Sequence, residues 1–121
     1  MWHLTKEQYD AIVANLKGKG NYRVRVTCVP DDVESLYFAK DLCQGLEKAG
    51  WQPIGPERSD ANLGLTGVFL AVGDYNNPGK GGFYLRQALR AAGLMDKQEI
   101  DFRRASDAMQ VGLCLQVGRK P

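Results

Sequence analysis

Between Tyr22 and Gly93 the chain passes twice through the same order of patterns: an apolar strand, an acidic loop, then an amphipathic helix closed by Ala-Gly. The two passes align at a constant offset of 43 residues. That offset sets Val29 against Val72, Asp31 against Asp74, Leu42 against Leu85, Leu46 against Leu89, Ala49 against Ala92 and Gly50 against Gly93. Strand, helix and strand in repetition mark βαβ units and a largely parallel sheet. An old duplication fits the match, and so do two units obeying the same packing rules. The second is preferred, because helix C-caps select glycine for physical reasons.

The local signals fill in this frame. Thr5 and Gln8 form a capping box with Leu4 and Tyr9 as its apolar staple, and Tyr9, Ile12, Val13 and Leu16 give the first helix one apolar face. Tyr22 to Val29 alternates as a strand. A second helix opens after Pro30, with Asp31 as N-cap and Glu34 completing a capping box. Gly50 stops it, Trp51 to Ile54 is a short strand, and Gly55 to Gly64 is a surface loop. Leu65 to Val72 is the most apolar stretch and reads as a central buried strand. A loop over 73–82 leads into a third helix through Phe83, Leu85, Ala88, Leu89 and Ala92. Further strands are expected over Glu99–Arg103 and Met109–Val117.

The expected architecture is therefore α/β. It is a small three-layer or two-layer sandwich with three helices and a mostly parallel sheet of four to five strands from two βαβ-like units, the last strand antiparallel. With 121 residues the chain is one domain, since two cores at half that length would each be marginal. Its parts are an N-terminal helix in 1–20, a first βαβ unit in 21–64, and a second βα unit with the terminal strands in 65–121.

Right-handed crossovers set the strands at 22–29 and 65–72 side by side and parallel. The loops at their carboxyl ends then share a crevice, the place where open α/β sheets bind ligands. The candidate ligand-binding residues are Asp31, Asp32, Asp74, Tyr75, Asn76, Gly79, Lys80 and Gly81.

Specific chemistries fit this set poorly. The stretch from Gly73 to Gly81 resembles a phosphate-binding loop, but five residues separate Gly73 from Gly79 and Gly81 stands where a magnesium-binding hydroxyl belongs. An anion contact by backbone amides near Gly79 to Gly82 is the remaining alternative. Asp31, Asp32 and Asp74 suggest a magnesium site of the receiver type, yet the downstream Thr/Ser and Lys strand ends are missing, and helix capping accounts for Asp31. His3 is the only histidine, and no Gly-x-Ser-x-Gly elbow occurs. Cys28, Cys43 and Cys114 lack metal-site spacing and read as buried, reduced thiols. No catalytic residue, metal or cofactor is called for.

A net charge of +2, from 16 basic and 14 acidic residues mixed along the chain, gives no basic stripe and hence no nucleic-acid partner. No apolar run approaches the ~20 residues of a membrane span. The last strand, from Gln110 to Val117, is a candidate edge for pairing with a second copy.

Several phrases carry a resemblance over nearly the whole chain. They are Leu4-Thr5-x-x-Gln8, Asp31-x-x-Glu34-Ser35, Phe38-Ala39-x-Asp41-Leu42, Leu46-x-x-Ala49-Gly50-Trp51 and Leu115-x-Val117-Gly118-x-Lys120-Pro121. Together they resemble the soluble domain at the C-terminal end of bacterial predicted membrane proteins, where it follows one or two transmembrane helices and a linker. The resemblance implies membrane contact only through a parent segment outside this chain, with the cytoplasmic face of the inner membrane favoured, and it carries over no activity. It implies no catalytic residues. The expected crevice and the lack of catalytic residues point to a non-enzymatic sensing or interaction domain. The partner is then a small-molecule ligand or another protein.

Overall fold

The computed structural model describes residues 1–72, 79–95, 103–104 (as backbone) and 112–121. Capping sets helix α1, Lys6–Leu16, where the sequence places it. The Gln8 amide donates to Thr5 Oγ1 at 3.1 Å, and the Thr5 amide donates to Gln8 Oε1 at 3.0 Å. At the far end, the buried Trp51 indole N–H donates to the Leu16 carbonyl at 3.1 Å, satisfying one of the carbonyls that a helix end leaves open.

Strand β1, Arg23–Cys28, turns Val24, Val26 and Cys28 into the core. Helix α2, Val33–Lys48, begins one residue later than the sequence suggests. Its N-cap is Asp32, which accepts the Ser35 amide, while Asp31 sits at φ +60°. Pro30 explains the shift. The Asp32 amide bonds back to the Val29 carbonyl, closing a turn that takes proline second and a left-handed residue third. Asp tolerates that conformation better than most residues, so Asp31 turns the chain and Asp32 caps the helix.

Strand β2, Gln52–Arg58, runs on through residues expected to form a loop. The β1–β2 register slips between Arg25 and Thr27. Gly55 lies at this slip with φ +120°, and a Cβ there would fall 2.5 Å from the Val26 carbonyl oxygen. Pro53 and Pro56 are tolerated because β2 is an edge strand and pairs on one side only. A 3-10 turn, Asp60–Asn62, follows.

Strand β3 is Val68–Val72, and helix α3 is Gly79–Ala91, opening four residues before Phe83. Gly81 lets the first turn of α3 approach closely: a Cβ there would lie 2.9 Å from Leu113 Cδ1 and 3.0 Å from Tyr22 Cδ1. Strand β4 is Arg103–Arg104 and β5 is Leu113–Val117. The expected strand residues 99–102 and 109–111 lie outside the described residues.

The sheet order is β2-β1-β5-β3-β4. β1 is parallel to both β2 and β5, β3 is parallel to β4, and β5 runs antiparallel to β3. The α/β class, the three helices and the mostly parallel sheet with an antiparallel last pairing are as the sequence indicates. Two expectations are corrected. β1 and β3 are not neighbours, because β5 inserts between them. For the same reason the last strand is central and offers no edge for pairing with another copy. The two matching halves stand as parallel units, β1-α2-β2 and β3-α3-β4, pointing in opposite directions on either side of β5.

Val24, Val26, Val68, Leu70, Leu113, Leu115 and Val117 turn from the sheet into one core with Ile12 and Leu16 of α1, Phe38, Leu42 and Leu46 of α2, and Leu85 and Leu89 of α3. Among the described residues the fold is thus two-layered, with α1 packed against both α2 and α3. All three cysteines are buried thiols outside any disulfide among the described residues, and burial pushes the Cys43 thiol up to about 12.

The other sheet face carries Thr27, Ala71, Cys114 and Gln116. Gln116 is 0% exposed, and among the described residues neither Oε1 nor Nε2 has a hydrogen-bond partner. A buried polar group without a partner costs about 1–3 kcal/mol. Gln116→Leu should therefore raise the unfolding free energy by about 1–3 kcal/mol in urea titrations with an unchanged m-value. A loss of stability would mean that the carboxamide is paired.

Candidate functional site

Three parallel strands, β2, β1 and β5, end at the same edge of the sheet. From β1 the chain crosses through α2 to one side, and β5 lies on the other. The carboxyl ends of adjacent parallel strands, as at the β1–β5 junction, are where open α/β sheets place a ligand crevice. Here the protein's own polar groups close it. The Val117 carbonyl accepts from Ser35 Oγ at 3.0 Å and from Asn62 Nδ2 at 2.9 Å. Ser35 Oγ in turn accepts the Val29 amide at 2.9 Å, and Thr27 Oγ1 donates to Asn62 Oδ1 at 3.1 Å. Thr27, Ser35 and Asn62 are all buried, so the bonds form at low local dielectric, where leaving one unmade is costly.

Charges close the outer layer. Asp32 receives the Ser35 amide on Oδ1 and Arg119 Nη1 on Oδ2, the latter at 3.0 Å. Glu34 accepts the Trp2 amide at 3.0 Å and lies 3.7 Å from Lys120 Nζ. Trp2 stacks on Phe38 with ring centroids 4.0 Å apart, and His3 Nδ1 lies 2.8 Å from Asp41. Residues 1–5 and 117–121 thereby flank the start of α2.

Beside this closed junction, towards β2, a cleft of about 240 Å³ stays open, lined by Val29, Asp31, Asp32, Val33, Leu36 and Arg58. Val33 is 56% exposed in spite of its apolar side chain. Cys28, the last residue of β1, has its thiol pKa raised, chiefly by burial; Arg58 lowers it and Asp32 raises it further. That thiol is protonated at neutral pH and is no nucleophile in this state. A shallower depression of about 400 Å³ lies over Tyr9, Gln44, Glu47 and Lys48, away from every strand end.

The residues expected to share one crevice are divided. Asp31 and Asp32 line the cleft at the carboxyl end of β1. Gly79, Lys80 and Gly81 open α3, and Gly81 faces Tyr22 and Leu113, next to the starts of β1 and β5. The length of the sheet separates the two groups, about 20 Å for a six-residue strand. The cause is the antiparallel course of β3, which carries its carboxyl end to the opposite edge. Asp31 and Asp32 therefore cannot share a ligand or a magnesium ion with Lys80. Asp74, Tyr75 and Asn76 lie outside the described residues. Among the described residues no group of three metal-ligating side chains comes together.

Sequence reasoning missed Val29, Val33, Leu36 and Arg58 as cleft residues. Arg58 was hidden because β2 was expected to end at Ile54. Val33 carried a usable signal, an apolar residue on the first helical turn with no place in the buried stripe. Comparison with protein families, with characterised proteins and with solved structures finds no match for this chain.

Ser35 is the most sensitive residue of the junction. Ser35→Ala leaves the buried Val29 amide without an acceptor and removes a donor from Val117. It should cost about 1–3 kcal/mol of unfolding free energy, read from chemical denaturation. A change below about 0.5 kcal/mol, the range of neutral surface substitutions, would show that the junction does not hold this edge together.

Proposed function

We propose that this chain is a non-enzymatic sensing domain that binds a small molecule in the cleft between Asp31 and Arg58, within a membrane-anchored bacterial parent protein. One observation carries the reading. Beside a junction closed by hydrogen bonds, a gap among the described residues keeps the apolar Val33 and Leu36 accessible between a carboxylate and a guanidinium. Small-molecule sites have this make-up, apolar lining with a few polar groups to fix orientation. The gap lies at the carboxyl ends of parallel strands, the favoured location for ligands in open α/β sheets.

The cleft also adjoins the contacts through which both ends of the chain reach α2. Occupancy next to Asp32 and Glu34 would bear on the Arg119 and Lys120 ion pairs, which gives a bound ligand a physical route to neighbouring segments of the parent. The alternative reading is a nucleotide- or anion-binding protein that uses the glycine-rich loop 73–82. It draws on exposed Lys80 at the start of α3, but Gly81 already serves the packing of α3 on Tyr22 and Leu113.

A thermal-shift screen of metabolites and nucleotides, followed by amide-shift mapping of the hits, separates the two readings. A ligand at one hundred times its dissociation constant stabilises the native state by about 2.7 kcal/mol. The cleft reading predicts shifts confined to Val29–Leu36 and Arg58. Shifts centred on 79–82 that vanish in Lys80→Ala would support the glycine-rich loop and sink the cleft.

A further inference from the structure

The charges around the cleft specify more than its location. Asp32 has both carboxylate oxygens engaged, one by the Ser35 amide and one by Arg119. Asp31 has no ion pair or side-chain hydrogen bond among the described residues, and neither has Arg58. An anion and a cation thus face one cleft without pairing with each other. Val29, Val33 and Leu36 supply its apolar surface. The volume, about 240 Å³, falls below the range that takes drug-sized ligands, so the occupant is small.

We infer that the cleft takes a zwitterion of the α-amino acid class with an apolar side chain; the inference rests on the cleft reading above. Asp31 receives the ammonium group. Arg58 binds the carboxylate through two parallel N–H donors, the geometry in which guanidinium excels. Val33 and Leu36 cover the side chain. Each charge of the ligand then meets the opposite charge of the protein, and no charged group is left unmatched on closure. A purely anionic ligand would meet Asp31 as a like charge, and a purely cationic one would meet Arg58, so both are disfavoured by the same walls.

The test is a titration of the full chain followed by amide shifts. The probes are L-leucine, leucine methyl ester, N-acetyl-leucine and glycine, with ATP and inorganic phosphate alongside. L-leucine should move the amides of Val29–Leu36 and Arg58 in a saturable way. Removing the ligand's carboxylate (the ester) or its ammonium (the acetylated form) should weaken binding about tenfold or more, as expected for a lost charge-assisted hydrogen bond. Arg58→Gln should erase the preference for leucine over its ester, and Asp31→Asn the preference over N-acetyl-leucine. Both side chains are exposed, so these variants should fold, and the unliganded amide spectrum checks that they do.

Equal affinity for leucine and its ester overturns the proposal. So does an absence of leucine shifts. If another compound from the screen moves the same cleft amides, only the ligand class falls and the cleft stands. If no compound moves them, the ligand class and the binding reading fall together.

Discussion

One carbonyl oxygen, that of Val117, fixes the arrangement of the sheet. It takes a hydroxyl from α2 and a carboxamide from the turn after β2, so the end of β5 is tied to both elements that flank β1. With β1 flanked by β2 and β5, β3 joins on the far side of β5, where it runs antiparallel. Everything functional follows from that placement. The carboxyl ends of β1, β2 and β5 share one edge, and β3 delivers its own carboxyl end to the other.

The same tie explains why the open cleft lies beside the β1–β5 junction and not over it. Strand ends leave backbone groups without ladder partners, and these must be satisfied by a ligand, by water or by the protein. Here Ser35 and Asn62 satisfy them at the β1–β5 junction, so a ligand has nothing to gain there. The gap moves one strand over, to the β1–β2 side. There the left-handed turn at Asp31 and the late end of β2 at Arg58 hold their side chains apart across apolar surface.

Local chemistry was legible in the sequence and non-local pairing was not. The capping box at Thr5 and Gln8, the helix stops at Gly50 and Gly93, and the alternation in β1 are short-range signals, and each appears in the structure as read. The N-cap was misplaced by one residue, because Asp31 and Asp32 are chemically equivalent caps and only the turn set by Pro30 separates them. β2 was cut short because Gly55 and Pro56 normally end a strand. The register slip against Val26 that accommodates them belongs to two strands at once. The position of β5 was least accessible of all, since nothing within residues 113–117 encodes which strands they separate. Two of the six residues that line the cleft, Asp31 and Asp32, are therefore legible in the sequence. Lys80 and its glycines were assigned to the wrong edge through one mistaken neighbour relation.

The strand order is the claim on which the site, its division and the proposed ligand all depend, and cross-strand nuclear Overhauser contacts test it directly. The account predicts that backbone protons around Leu115 contact those around Val26 on one side and Leu70 on the other, following the parallel and antiparallel registers. Direct contacts between Val26 and Leu70, with none from either to Leu115, would contradict it. The aspartates and Lys80 would then return to a shared crevice.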